Sequence, residues 1–156
     1  MFIKLFNTNK AIVLAILPLI VLIFWYNNLF NQFVVVSHPS FFYSFFANIY
    51  SLIANILAMI IMVISGIILS AFVNRSIYFN KTNYLAAFFY VIIMSSVQEF
   101  TCQNPIIYAN LFLILSFGRL HLIFQEKKCK NNIFISSCYM FVASMFYFPY
   151  ILFYPI

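Results

Sequence analysis

From Ile49 to Val73 the chain reads IYSLIANILAMIIMVISGIILSAFV, apolar side chains following one another with no charge among them. A helix rises about 1.5 Å per residue and the hydrocarbon core of a bilayer is roughly 30 Å thick, so about 20 such residues make one crossing. Four more apolar runs flank this one: Ala11 to Tyr26, Tyr84 to Glu99 with its apolar part ending at Val97, Ile106 to Phe124, and Ile133 to Ile156. Between them lie polar connections, Asn27 to Ser40, Asn74 to Asn83, Gln98 to Pro105 and Gln125 to Asn132. The pattern predicts an all-α, polytopic transmembrane helix bundle of about five spans, forming a single integral membrane domain over residues 1–156. The third run is the shortest. Pro18 falls inside the first, where a membrane helix tolerates it with a kink. That run follows Lys4 and Lys10 as a signal sequence would, yet no small-residue cleavage site comes after it, so it reads as an uncleaved span. Ser40 is a candidate cap for the next helix. The aromatic stretch Phe41 to Tyr50 reads either as an interfacial segment or as the start of a long, tilted second span.

Composition agrees with the pattern. Hydrophobic residues make up 66% of the chain, 6% is charged, and the mean hydropathy is +1.05, against roughly 25% charged residues in ordinary soluble domains. Phe, Ile, Asn, Lys and Tyr are all encoded by A/T-rich codons, so the wealth of aromatics reads as genomic bias in preference to a binding stripe. The eight basic residues are Lys4, Lys10, Arg75, Lys81, Arg119, Lys127, Lys128 and Lys130. With five spans they all fall on one side, and the connections Asn27 to Ser40 and Gln98 to Pro105 hold none. Basic residues retained on the cytoplasmic side give an amino terminus inside and a carboxyl terminus outside. The short third run is needed for this split, since without it Lys127 to Lys130 would stand outside.

Within the second run Ala54, Ala58, Gly66 and Ser70 form a helix-packing stripe, interrupted by Met62. Small residues at that spacing let helices approach closely. The stripe reads as a partner or dimer interface or, preferably, as packing within the same chain. Asn55 and Asn110 lie deep in two runs and are expected to point at neighbouring helices, because an amide facing lipid without a partner is costly.

Catalytic chemistry has little to build on. Glu99 and Glu126 are the only acids, which removes paired-carboxylate catalysis and most hard-metal sites. His38 and His121 fall on opposite sides of the predicted topology, against a zinc site made from both. Two glycines, Gly66 and Gly118, make neither a phosphate-binding loop nor a nucleophile elbow. The reading is therefore no enzyme, no cofactor and no metal. Cys102, Cys129 and Cys138 are expected outside, inside and within the last span, which gives no disulfide. Cys129 beside Lys127, Lys128 and Lys130 is read as an incidental surface thiol in preference to an activated one. Arg119, His121, Lys127, Lys128 and Lys130 gather at one end of the fourth and fifth runs as contacts for an anionic head group; the preferred alternative is that they only fix topology and snorkel to the interface. Glu99 is a candidate coupling acid if it faces the bundle, and otherwise a loop carboxylate in water.

Taken together, the lysine-bearing amino terminus, Asn110 followed by Phe117-Gly118-Arg119-Leu120, and Phe146-Tyr147-Phe148-Pro149 after a lysine-rich loop resemble an uncharacterised polytopic inner-membrane protein family of Bacteroidota. The resemblance implies a bacterial inner (cytoplasmic) membrane location and, because that family's members are about twice as long, correspondence to an amino-terminal portion. The ending Tyr-Pro-Ile, without a polar flank, fits that expectation. The family brings no catalytic residues. The function expected is a non-enzymatic subunit or scaffold of a cell-envelope complex, the alternative a small transporter or a protein binding anionic lipid or a lipid carrier. Expected partners are membrane lipids and a membrane-protein partner or a second copy, with no nucleic acid.

Overall fold

A computed structural model describes residues 11–30, 51–75, 84–101, 104–123 and 129–153, and every regular element among them is helical. The chain divides into two compact units, Met1–Val35 with Tyr50–Gln103, and Val36–Ile49 with Asn104–Ile156. Ser40 and the Phe41 to Tyr50 stretch lie outside the described residues.

The first unit holds helices α1 (Ala11–Phe30), α2 (Ser51–Arg75) and α3 (Leu85–Ser96), with a single 3-10 turn at Gln98–Phe100. Leu17, Val21 and Trp25 recur every fourth residue on α1 and are fully buried, the spacing that puts side chains on one helix face. On α2 the buried face carries Ala54, Ala58, Met62, Ser65 and Ser70; on α3 it carries Ala87, Val91, Met94 and Ser95. Small side chains on α2 bring α3 close. A Cβ built on Gly66 would meet the Ala87 carbonyl oxygen, a Tyr90 ring carbon and a Val91 methyl, each at 3.4 Å. Ser95 donates to the Met62 sulfur at 3.6 Å. Residue 66 thus lies beside 87–91 and residue 62 beside 95, so α2 and α3 run antiparallel. Helix α1 does not stop at Tyr26 but continues through Asn27 and Asn28 to Phe30, where the Asn28 amide gains a partner by donating to the Thr101 hydroxyl.

The third predicted span, 84–99, contracts to a helix of 12 residues. That is about 18 Å, short of the roughly 30 Å hydrocarbon core. The cause is local. The Ser96 hydroxyl donates to the Ile93 carbonyl at 2.7 Å, competing with continued helix, and Val97 turns to extended backbone (φ −91°, ψ 116°). The Gln98 carbonyl then accepts from the Thr101 backbone N–H (3.2 Å) and hydroxyl (2.7 Å).

The second unit is an antiparallel helical hairpin of α4 (Pro105–Ile123) and α5 (Cys129–Phe146), followed by a 3-10 segment, Phe148–Phe153. Helix α4 begins where sequence chemistry dictates. The Asn104 side chain accepts from the Ile106 N–H at 3.0 Å, and Pro105 occupies the first helical position, where its missing N–H costs nothing. Helix α5 departs from the predicted boundaries at both ends. Cys129, Lys130, Asn131 and Asn132, assigned to a loop by their polarity, are its first turn, and the helix ends at Phe146 instead of running to Ile156. Pro149 explains the stop, since it has no N–H to continue the ladder and disfavours helical backbone at Phe148. The chain tightens there, Tyr150 N–H donating to the Tyr147 carbonyl at 3.0 Å.

Among the described residues two helices, Leu52–Arg75 and Pro105–Ile123, are long and apolar enough to cross a membrane. Ile16–Leu29 and Leu85–Ser96 are apolar but shorter.

Candidate functional site

Polar side chains inside each unit pair with one another across helix seams. In the hairpin, Ser116 of α4 faces Ser136 of α5, both fully buried. Their hydroxyl oxygens lie 2.8 Å apart, and each hydroxyl also reaches the other residue's carbonyl oxygen, Ser116 to Ser136 O at 3.1 Å and Ser136 to Ser116 O at 3.2 Å. Asn110 does point at a neighbouring segment, its side-chain oxygen accepting from the Tyr150 hydroxyl. Asn55 is buried on α2. In the first unit the equivalent ties are Asn28 to Thr101 and Ser95 to Met62. These serve packing, since each joins two elements.

Aromatic residues of the hairpin likewise meet one another. Phe146 stacks on Tyr108 (centroids 5.7 Å, 14° between planes) and on Phe112 (5.8 Å, 13°), while Phe112 also meets Tyr139 at 6.5 Å. Such pairs contribute beyond the area they bury. Beyond the hairpin, Tyr150 meets Tyr147 edge-on at 5.0 Å.

The structure separates the predicted site residues into several places. Ala54, Ala58, Gly66 and Ser70 are all buried, and Gly66 packs on α3 of the same chain. Arg119 and His121 are half-buried near the carboxyl end of α4, and Lys130 is exposed in the first turn of α5. The antiparallel hairpin brings these three to one end of the second unit. Lys127 and Lys128 lie outside the described residues, as does His38. Glu99 is exposed on the 3-10 turn. Cys138 is a free, exposed cysteine on α5, and Cys102 lies outside the described residues.

Sequence reasoning missed Ser116, Ser136, Thr101 and Tyr150. A serine within each of two facing apolar runs was the available signal for the first pair. Among the described residues, the buried Trp25 Nε1 and Asn132 Nδ2 find no hydrogen-bond acceptor. Asn132 shares the α5 stripe of Ser136, Met140 and Ala143, so it lies in the hairpin seam one turn beyond the serine pair, level with the end of α4 that carries Arg119.

Two concave surfaces stand out. A groove of about 550 Å³ runs between α1 and α2, lined by Pro18, Val21, Leu22, Ile56, Ile60 and other aliphatic side chains. A shallower depression of about 670 Å³ runs along the outer face of α5, with Lys130 at one end and Phe141 and Val142 at the other. The chain matches no protein-family model, no curated protein and no solved structure.

Proposed function

We propose that the chain is an integral membrane protein with five crossings, amino terminus cytoplasmic, serving as a non-enzymatic subunit or scaffold of a cell-envelope complex. The observation that carries the membrane reading is the direction in which the large apolar side chains face. Ile23, Ile53, Ile93, Phe134 and Leu152 are between 59% and 85% exposed, and only 33% of each of the two longest apolar windows is buried. A core helix of a water-soluble protein would hide most of its apolar surface; a helix in lipid has no such need. The split of basic residues between alternate connections supports the orientation. The Bacteroidota resemblance supports a bacterial inner membrane.

The subunit reading is favoured over transport because Ser116 with Ser136, Asn28 with Thr101 and Asn110 with Tyr150 spend their polar groups tying neighbouring elements together. A transporter places polar groups at a binding site near the bilayer midplane. Purification from native membranes in mild detergent, with native mass measurement, tests the reading. The expected result is a stable assembly heavier than the 18.3 kDa chain containing distinct partner proteins. A lone chain or a homo-oligomer sinks the obligate-subunit role and turns attention to transport assays with Arg119→Ala and Glu99→Gln.

A further inference from the structure

We infer that the outer face of α5 is a docking site for one anionic phospholipid, its phosphate at Lys130 and an acyl chain along the depression below. The inference rests on the membrane reading above. Lys130, Ile133, Phe134, Ser137, Cys138 and Phe141 line that depression, at spacings of three and four residues that make a single helix face. Ile133, Phe134 and Phe141 are 45%, 70% and 59% exposed. The surface is therefore polar and cationic at one end and apolar along its length, the division a phospholipid has.

Charge complementarity decides which lipid. Lys130 sits in the first turn of α5, where the helix dipole already presents positive charge and a cation is disfavoured. An anion beside it answers both the ammonium and the dipole, and backbone N–H groups at a helix start bind phosphate. Arg119 stands at the same end of the hairpin and adds to the positive field, on a chain whose formal net charge is +6. Retention of basic residues on one side accounts for the charge; the depression on the same helix face as Lys130 adds a seat for an acyl chain.

Cys138 supplies the probe, since it is exposed within the depression. With Cys102 and Cys129 replaced by serine, a fluorophore on Cys138 is read in bilayers containing bromine-labelled phosphatidylglycerol or bromine-labelled phosphatidylcholine. The expected result is preferential quenching by the anionic lipid, weakened by salt. In Lys130→Gln the preference falls about fivefold, the contribution of one lysine at an anionic surface, while quenching by phosphatidylcholine is unchanged. Equal quenching by the two lipids in the otherwise unaltered protein, or a preference untouched by Lys130→Gln, overturns the site and leaves the membrane reading standing. No quenching by either lipid overturns both.

Discussion

The buried serine pair of the hairpin permits a prediction with a definite arithmetic. Ser116 and Ser136 present two hydroxyl hydrogens and three short contacts, so two hydrogen bonds form at any one time. Two of the acceptors are backbone carbonyl oxygens, which remain when a side chain is truncated. In Ser116→Ala the Ser136 hydroxyl still donates to the residue-116 carbonyl; in Ser136→Ala the Ser116 hydroxyl still donates to the residue-136 carbonyl. Each single substitution thus loses one bond and the double substitution loses both. Interhelical side-chain hydrogen bonds in membrane proteins average about 0.6 kcal/mol and reach about 1.7. Each single variant is therefore expected to cost about 0.6 kcal/mol and the double about 1.2, with a coupling term below about 0.5 kcal/mol. Equilibrium unfolding of the purified protein in mixed micelles, followed by far-ultraviolet circular dichroism, measures all four corners of the cycle. Ser137→Ala, on the outward face of α5, serves as a control expected within about 0.5 kcal/mol of the parent. If either single variant costs as much as the double, the surviving hydroxyl has no acceptor and the reasoning fails. A double variant as stable as the parent refutes it equally.

Gly66 gives a second test. A Cβ at this position meets three neighbours at 3.4 Å, so Gly66→Ala fits and is expected to change stability by between zero and about +1 kcal/mol through helix propensity. Gly66→Ile drives a branched side chain at the Ala87 backbone and is expected to cost about 1–3 kcal/mol; a neutral isoleucine in the same unfolding assay would show that α3 does not pack there. The proposed topology is tested by thiol labelling in intact cells with a membrane-impermeant maleimide. Cys102 is expected to react before permeabilisation and Cys129 only after it; reaction of both together would remove the fourth crossing, and the reverse order would remove the third.

The helices were legible where apolar runs are long and end in strong signals. The predicted fourth span and α4 differ by one residue at each end, because Asn104-Pro105 is both a polar break and a cap with proline at the first helical position. Residue polarity misled at α5. Lys130, Asn131 and Asn132 look like loop, yet a helix start accommodates polar side chains readily, and hydropathy cannot separate a solvated first turn from a connection. Pro149 was visible inside the last run, and its effect on the helix end follows from its chemistry, but an apolar tail disguises a change from α-helical to 3-10 backbone. The positions of Ser116 and Ser136 could be seen, but not that they face each other, since the pairing depends on the hairpin's register. Arg119 and Lys130 were legible as charge along the chain. The depression on the outer face of α5 was not, because that face is defined by which residues the hairpin buries.

The short third helix is where topology and geometry meet most tightly. Separating the basic residues onto one side requires a crossing between Lys81 and the start of α4, yet α3 has only 12 residues. The hydrogen bond from Asn28 to Thr101 sets the carboxyl end of α1 level with the end of α3 and its 3-10 turn. Helix α1, at 20 residues, therefore extends about 12 Å further toward its amino end than α3 does. A crossing at α3 must then be completed by chain outside the helix, or by a bilayer locally thinner than its surroundings. Packing makes this arrangement tolerable. The face of α3 formed by Ala87, Val91, Met94 and Ser95 is buried, with its contacts to Met62 and Gly66 placing α2 against it. A short helix held by a longer neighbour does not need length to be stable, so the 12-residue helix is compatible with the charge pattern and with the five crossings proposed above.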